Sequence, residues 1–320
     1  MQKWLIDLGK KSKKTTYKLL LIFMIAVISL SFVGCNEDDI NNVIEQTALT
    51  VYEKTPSPQN ASIGGEWALI GILNSNIDTD KKEICISRYY DNVRRTVKSK
   101  KGILSESYTT EYARTIMGLC AAGKDLRNVE GYDLTIYLDN SKRTINQGIN
   151  GACYALIASE MAGIKLSNEQ TYISYIMEAT ESLNGSTSTD YISMSVLALS
   201  PYKENKNVAK FLEKQIDKLS DVQLRDGSLG SCESTAECII ALSTAGIDVE
   251  HDERFIKENN NLFNGLMNFY KDDGFVHTKD DQETDMMATE KGLLALESIE
   301  SFKNGQVLYK SVSEEGAIEK

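Results

Sequence analysis

The amino-acid sequence predicts an all-α protein in which six small-residue helices are enclosed by six amphipathic ones, closing into a double-walled ring after an N-terminal signal segment. Three observations carry this expectation. A helical segment rich in Ala and Gly recurs six times, at intervals of 40 to 54 residues, a period typical of stacked helical hairpins. Between the copies lies a wetter pattern, apolar at three- and four-residue steps with charges opposite. Strand signals are weak throughout, and the chain has only three prolines.

Residues 1–34 read as a targeting segment. Lys3, Lys10, Lys11, Lys13, Lys14 and Lys18 stand against Asp7, followed by the apolar stretch Leu19–Val33 and then Gly34-Cys35. That stretch is shorter than the ~20 residues a membrane-crossing helix needs. SFVGC resembles the lipobox of bacterial lipoproteins, with Phe32 where that family usually has Leu. The resemblance implies that Cys35 carries the lipid and that 35–39 is its tether; the alternative is an uncleaved signal anchor. On either reading the lysines stay inside and the rest of the chain lies outside the cytoplasmic membrane.

The ring domain is expected over 40–302. It opens with an outer helix near Ile40–Lys54 and the loop TPSPQNASIGG. The inner copies are EWALIGILNSNI (66–77), EYARTIMGLCAAGKD (111–125), GACYALIASEMAGI (151–164), DYISMSVLALSPY (190–202), STAECIIALSTAGID (234–248) and ATEKGLLALESI (288–299). They are nearly free of Lys and should be buried on most sides. The outer pattern is clearest over 83–99, 168–183, 207–222 and 252–270. An open solenoid competes with the ring, but would expose its small-residue helices and need capping repeats that the chain does not display. Residues 303–320 form an acidic tail.

The formal net charge is −11; without the first 34 residues, 29 bases face 45 acids, a net of −16. Such a balance repels phosphate backbones, so nucleic acid is not an expected partner. After Cys35 five cysteines remain, an odd number at wide spacings with no disulfide or zinc-ribbon pattern.

QLRDGSLGS (223–231), with Leu229 in the tryptophan position of a glutamine-tryptophan repeat, DDGF (272–275) and QGINGACYALIA (147–158) resemble the α/α-toroid superfamily of terpenoid cyclases, protein prenyltransferases and cobalamin carriers. The likeness spans roughly Ile40–Phe302 and implies the α6/α6 toroid. The prenyltransferase zinc site is not matched. Ala288 stands where the ligand His would be, and CEST (232–235) replaces Asp-x-Cys. A rebuilt site would draw on Cys232, His277 and Glu233, with Asp281 in DDQETD (280–285) the nearest acid for zinc or calcium; no resident cofactor is expected. The DxDD run of squalene-type cyclases does not occur.

In a toroid the loops entering the inner helices gather at one end. The first inner turns then place Trp67, Tyr108, Glu111, Tyr112, Tyr154, Asp190, Tyr191, Glu233, Glu237, Asp285 and Glu290 around a mouth. A concave site with aromatic walls and a few convergent polar groups suits a ligand. The same acids also suit plain helix capping, and the aromatics plain core packing. The expectation is a lipid-anchored extracytoplasmic protein that binds a peptide, glycan or small molecule without chemistry. The alternatives are an enzyme acting on an isoprenoid-like apolar substrate and a structural module of the cell surface.

Overall fold

A computed structural model describes residues 37–183 and 188–310. The signal segment 1–34, Cys35, mouth-loop residues 184–187 and the tail beyond 310 lie outside the described residues. The chain divides into two compact units, Met1–Asn42 and Val43–Lys320. Of the first, only 37–42 are described, where helix α1 (Glu37–Lys54) begins. Among the described residues no helix is long and apolar enough to cross a membrane.

The second unit is mostly helical. It continues with α2 (Trp67–Asn74), α3 (Thr79–Ser99), α4 (Thr109–Ala121), α5 (Ser141–Asn146), α6 (Ile149–Met161) and α7 (Glu169–Glu181). Then come α8 (Ser188–Leu199), α9 (Lys206–Val222), α10 (Cys232–Ala245), α11 (Leu262–Met267), a hairpin of β1 (Tyr270–Lys271) and β2 (Gly274–Phe275), and α12 (Met286–Lys303).

All six small-residue segments are helices, namely α2, α4, α6, α8, α10 and α12, each starting within two residues of the expected position. Side-chain oxygens one residue before the helix set two of these starts. Ser231 accepts from the Ser234 amide at 3.2 Å, and Asp285 from that of Ala288 at 2.9 Å. Each of the six packs on the next, and α12 returns onto α2. Close approach requires small residues there: a Cβ on Gly71 of α2 would stand 2.7 Å from Leu293 Cδ2 of α12. The amphipathic helices α3, α7 and α9 lie against α2, α6 and α8 in turn. Their apolar stripes are buried, as with Val208, Phe211, Leu212, Ile216 and Leu219 of α9.

Two outer stretches depart from expectation. The apolar spacing over 252–270 predicts one long helix, yet the chain makes a 3-10 turn at Glu253–Phe255, a bridge between Lys257 and Asn260, and only the short α11. Glu258 and Asn259 adopt positive φ, and an Asn261–Asn264 capping box starts α11 afresh. Local side-chain hydrogen bonding by Asn thus outcompetes the helix. The apolar residues still go inside: Phe255, Leu262, Leu266 and Phe269 are wholly buried. Between α4 and α6 the outer position is filled by a 3-10 turn, Thr135–Asp139, and the short α5.

The DDGF stretch is the hairpin. Asp272 and Asp273 take positive φ between β1 and β2, the geometry of a tight two-residue turn. QLRDGSLGS forms a second compact turn, in which Gln223 Nε2 donates to Gly227 O and Phe255 O, both at 3.0 Å. Gly265 of α11 lies so close that any Cβ there would meet the Gly227 carbonyl at 2.3 Å. The five described cysteines are all buried.

Candidate functional site

The first two turns of the small-residue helices share side-chain contacts. Ser234 Oγ of α10 donates to Asp190 Oδ1 of α8 at 2.7 Å, and Lys291 Nζ of α12 donates to Glu237 Oε2 of α10 at 2.8 Å. Lys291 also stands 4.8 Å above the Trp67 ring of α2, which stacks on Tyr154 of α6 at 5.9 Å and 28°. Arg114 of α4 pairs with Glu111 at 2.5 Å. Tyr154 lies within electrostatic reach of Lys291, Glu237 and Arg114, so the group is one cluster drawn from five helices.

Its chemistry is that of a preorganised polar centre with an aromatic wall. Burial disfavours the Lys291 ammonium, but the Glu237 carboxylate more than offsets this and holds the lysine protonated. Lys291 is therefore a donor and a fixed cation, not a nucleophilic amine. Burial also pushes the Tyr154 phenol up, keeping it neutral.

Beside this cluster the loop before α2 is gripped by two buried acids. Glu66 Oε1 accepts from Tyr89 Oη at 3.0 Å and from Asn60 Nδ2 at 3.1 Å, and Glu290 Oε1 accepts from the Gly64 amide at 2.9 Å. In both carboxyls the second oxygen is buried without a hydrogen-bond partner. Desolvation raises each to about 7, although Arg114 draws Glu66 down and the Gly64 amide does the same for Glu290. Glu297, further along α12, is buried with neither oxygen bonded and is also pushed well up by burial.

The sequence-derived residues divide accordingly. Trp67, Glu111, Tyr154, Glu237, Asp190 and Glu233 are brought to the first-turn end with partners. Glu233 accepts from His277 Nδ1 at 2.7 Å, a hydrogen bond that raises the imidazole. Tyr108 and Tyr191 are exposed there. Asp285 is the α12 cap, and Glu290 is a clamp on Gly64 rather than an open ligand. Tyr112 points away into the wall, wholly buried, stacked on Tyr137 at 4.1 Å and donating to Ser105 O.

The metal candidates do not assemble. The Cys232 amide donates to His277 O at 3.0 Å, so their loops meet, but the thiol is buried, its Sγ lies 3.5 Å from Ala288 O, and burial pushes it up from the range where a thiolate forms. Asp281 accepts from Thr278 N and Oγ1 within its own loop. Among the described residues no three His, Cys, Asp or Glu side chains form a group that could hold a metal.

Arg114, Lys291, Glu66 and Glu297 escaped the sequence reading. The available signal was a charge inside an otherwise small-residue segment, as at Lys291 and Glu297 in ATEKGLLALESI. No family model matches the chain, and no curated protein matches it either.

Proposed function

We propose that residues 40–302 close into an α6/α6 toroid that binds a polar ligand with a flat or apolar face, of peptide or glycan type, at the first-turn end of its inner helices. The succession of inner contacts ending with α12 on α2 supports the ring, as does the placing of α3, α7 and α9 on the inner helices α2, α6 and α8. The observation that carries the ligand reading is the part-buried Lys291–Glu237 pair beside the Trp67–Tyr154 stack. Packing alone does not call for it, because desolvating two charges costs several kcal/mol per ion and apolar residues of similar size fill such space as well or better. Fixed donors and acceptors beside an aromatic face suit hydrogen bonding to a ligand that stacks. A charged centre of this kind is a poor surface for an isoprenoid, which disfavours the cyclase-like alternative. The lipobox-like SFVGC adds an anchor at Cys35 and an extracytoplasmic address to the proposal.

The chain lacking residues 1–34 holds one tryptophan, Trp67, since the other is Trp4. Its fluorescence therefore reports on the site directly. Titration with tripeptides and with N-acetylglucosamine oligomers is expected to shift or quench that emission saturably for one class, and Glu237→Gln with Lys291→Met should abolish the response. Absence of any saturable response to either class would refute the reading.

A further inference from the structure

We propose a second binding site, at the opposite ends of the inner helices, for a small amphiphilic cation: an ammonium group on a short apolar body. A cavity of 250 Å³ opens where α6, α8 and α10 finish. Its wall is apolar, built from Ile157, Leu197, Pro201 and the aromatic ring of Tyr309. That volume is on the scale of a short alkyl chain with its head group.

The charge of the head follows from what surrounds the cavity. Glu160 and Glu204 line it against a single cation, Lys203. Three helices also end there, at Met161, Leu199 and Ala245, and each C-terminus contributes partial negative charge from carbonyls without an intrahelical partner. Ser200 and Thr244, two of the three hydroxyl-bearing residues that line the cavity beside Tyr309, donate to Val196 O and Ile240 O, so neither directs a proton at a ligand. The balance favours a cation over a carboxylate. The segment after α12 makes this a built cavity rather than a surface groove, because Leu308 is buried and Val307 and Tyr309 supply one wall.

The cavity adjoins the Lys291 cluster through Tyr309, which lies within electrostatic reach of Lys291, but the two readings fail separately, because Glu160, Glu204 and Thr244, the positions varied below, do not belong to that cluster. The test is calorimetric titration of residues 36–320 with n-hexylammonium chloride, sodium hexanoate and 1-hexanol. Hexylammonium is expected to bind at least fivefold more tightly than hexanoate. In Glu160→Gln with Glu204→Gln, both exposed positions, its affinity should fall about fivefold, as two partly screened charges allow, while hexanol is unaffected. Thr244→Phe, which fills the cavity from α10, should abolish binding of both. Equal binding of hexylammonium and hexanoate, no binding of any probe, or undiminished hexylammonium binding in the two-glutamine variant would overturn the assignment.

Discussion

Leu293 occupies the space that Gly71 leaves empty: a Cβ on Gly71 would lie 2.7 Å from Leu293 Cδ2 and 3.2 Å from its Cγ. This contact joins the first small-residue helix to the last. Gly71→Val should therefore destabilise the protein by about 2 kcal/mol through overpacking, and Leu293→Ala in the same chain should relieve part of that loss. Denaturant titration of the four members of this cycle checks it; strictly additive losses would show that the two positions do not meet.

Lys291 and Glu237 should behave as a unit. Removing one partner leaves a part-buried charge alone, so Lys291→Met is expected to cost about 1–3 kcal/mol, whereas Lys291→Met with Glu237→Leu should recover most of it. The recovered double variant, folded but without its polar centre, separates the pair's part in stability from its part in binding. A double variant no more stable than the single would contradict this account.

Stability should decline from about pH 4.5 to pH 7. Glu66 and Glu290 titrate near 4.5 when unfolded and near 7 when folded, so the native state retains protons that the unfolded chain has released. The resulting stability is full below pH 4.5 and is lost as the pH rises through 7, amounting to at most about 3 kcal/mol for each group. Glu66→Gln with Glu290→Gln preserves the acceptor oxygens and should lessen the fall of the melting temperature between pH 5 and 8. The same slope in both proteins would assign it to other groups. Asp139, Asp226 and Asp252, held below their usual range, act at lower pH, whereas Glu297 and His277, both raised, add to the same decline.

Thiol labelling gives a fourth check. Cys85, Cys120, Cys153, Cys232 and Cys238 are buried, and desolvation raises Cys85, Cys153, Cys232 and Cys238. Native residues 36–320 should react negligibly with an aromatic disulfide reagent at pH 8 over minutes, and all five thiols should react in denaturant. Rapid reaction of Cys232 in the native protein would reopen the metal-site reading.

The anchor is testable apart from the fold. Cys35→Ala should abolish incorporation of labelled fatty acid and move the protein out of the membrane fraction, or leave it there only through an uncleaved signal anchor. Lipid labelling that persists in this variant would disprove the assignment.

Small-residue periodicity was readable because every helix that must pack on both sides needs Ala, Gly or Ser at the contacts, as Gly71 and Gly292 do. The height of a residue along its helix was readable too, so Trp67, Tyr154 and Glu237 fell at the right end. Their direction around the helix was not, which is why Tyr112 was placed at the mouth although it stacks on Tyr137 in the wall. Lys291 and Arg114 escaped because a lone cation in a helix ordinarily marks a wet face, and only the partner across space, Glu237 or Glu111, reverses that reading. The 252–270 stretch failed because apolar spacing reports burial, while three consecutive asparagines decide backbone geometry.

The meeting of Gly71 with Leu293 also bears on how the chain folds. The two residues are separated by most of the sequence, and their contact carries a high loop-closure cost that is met only after the intervening elements are in place. A ribosome delivers α2 long before α12, so the apolar flank of α2 waits without its neighbour until synthesis is almost complete. Truncated or stalled chains ending before residue 286 would present that flank to chaperones and to each other, and their fate should be aggregation or capture rather than a shorter but stable fold.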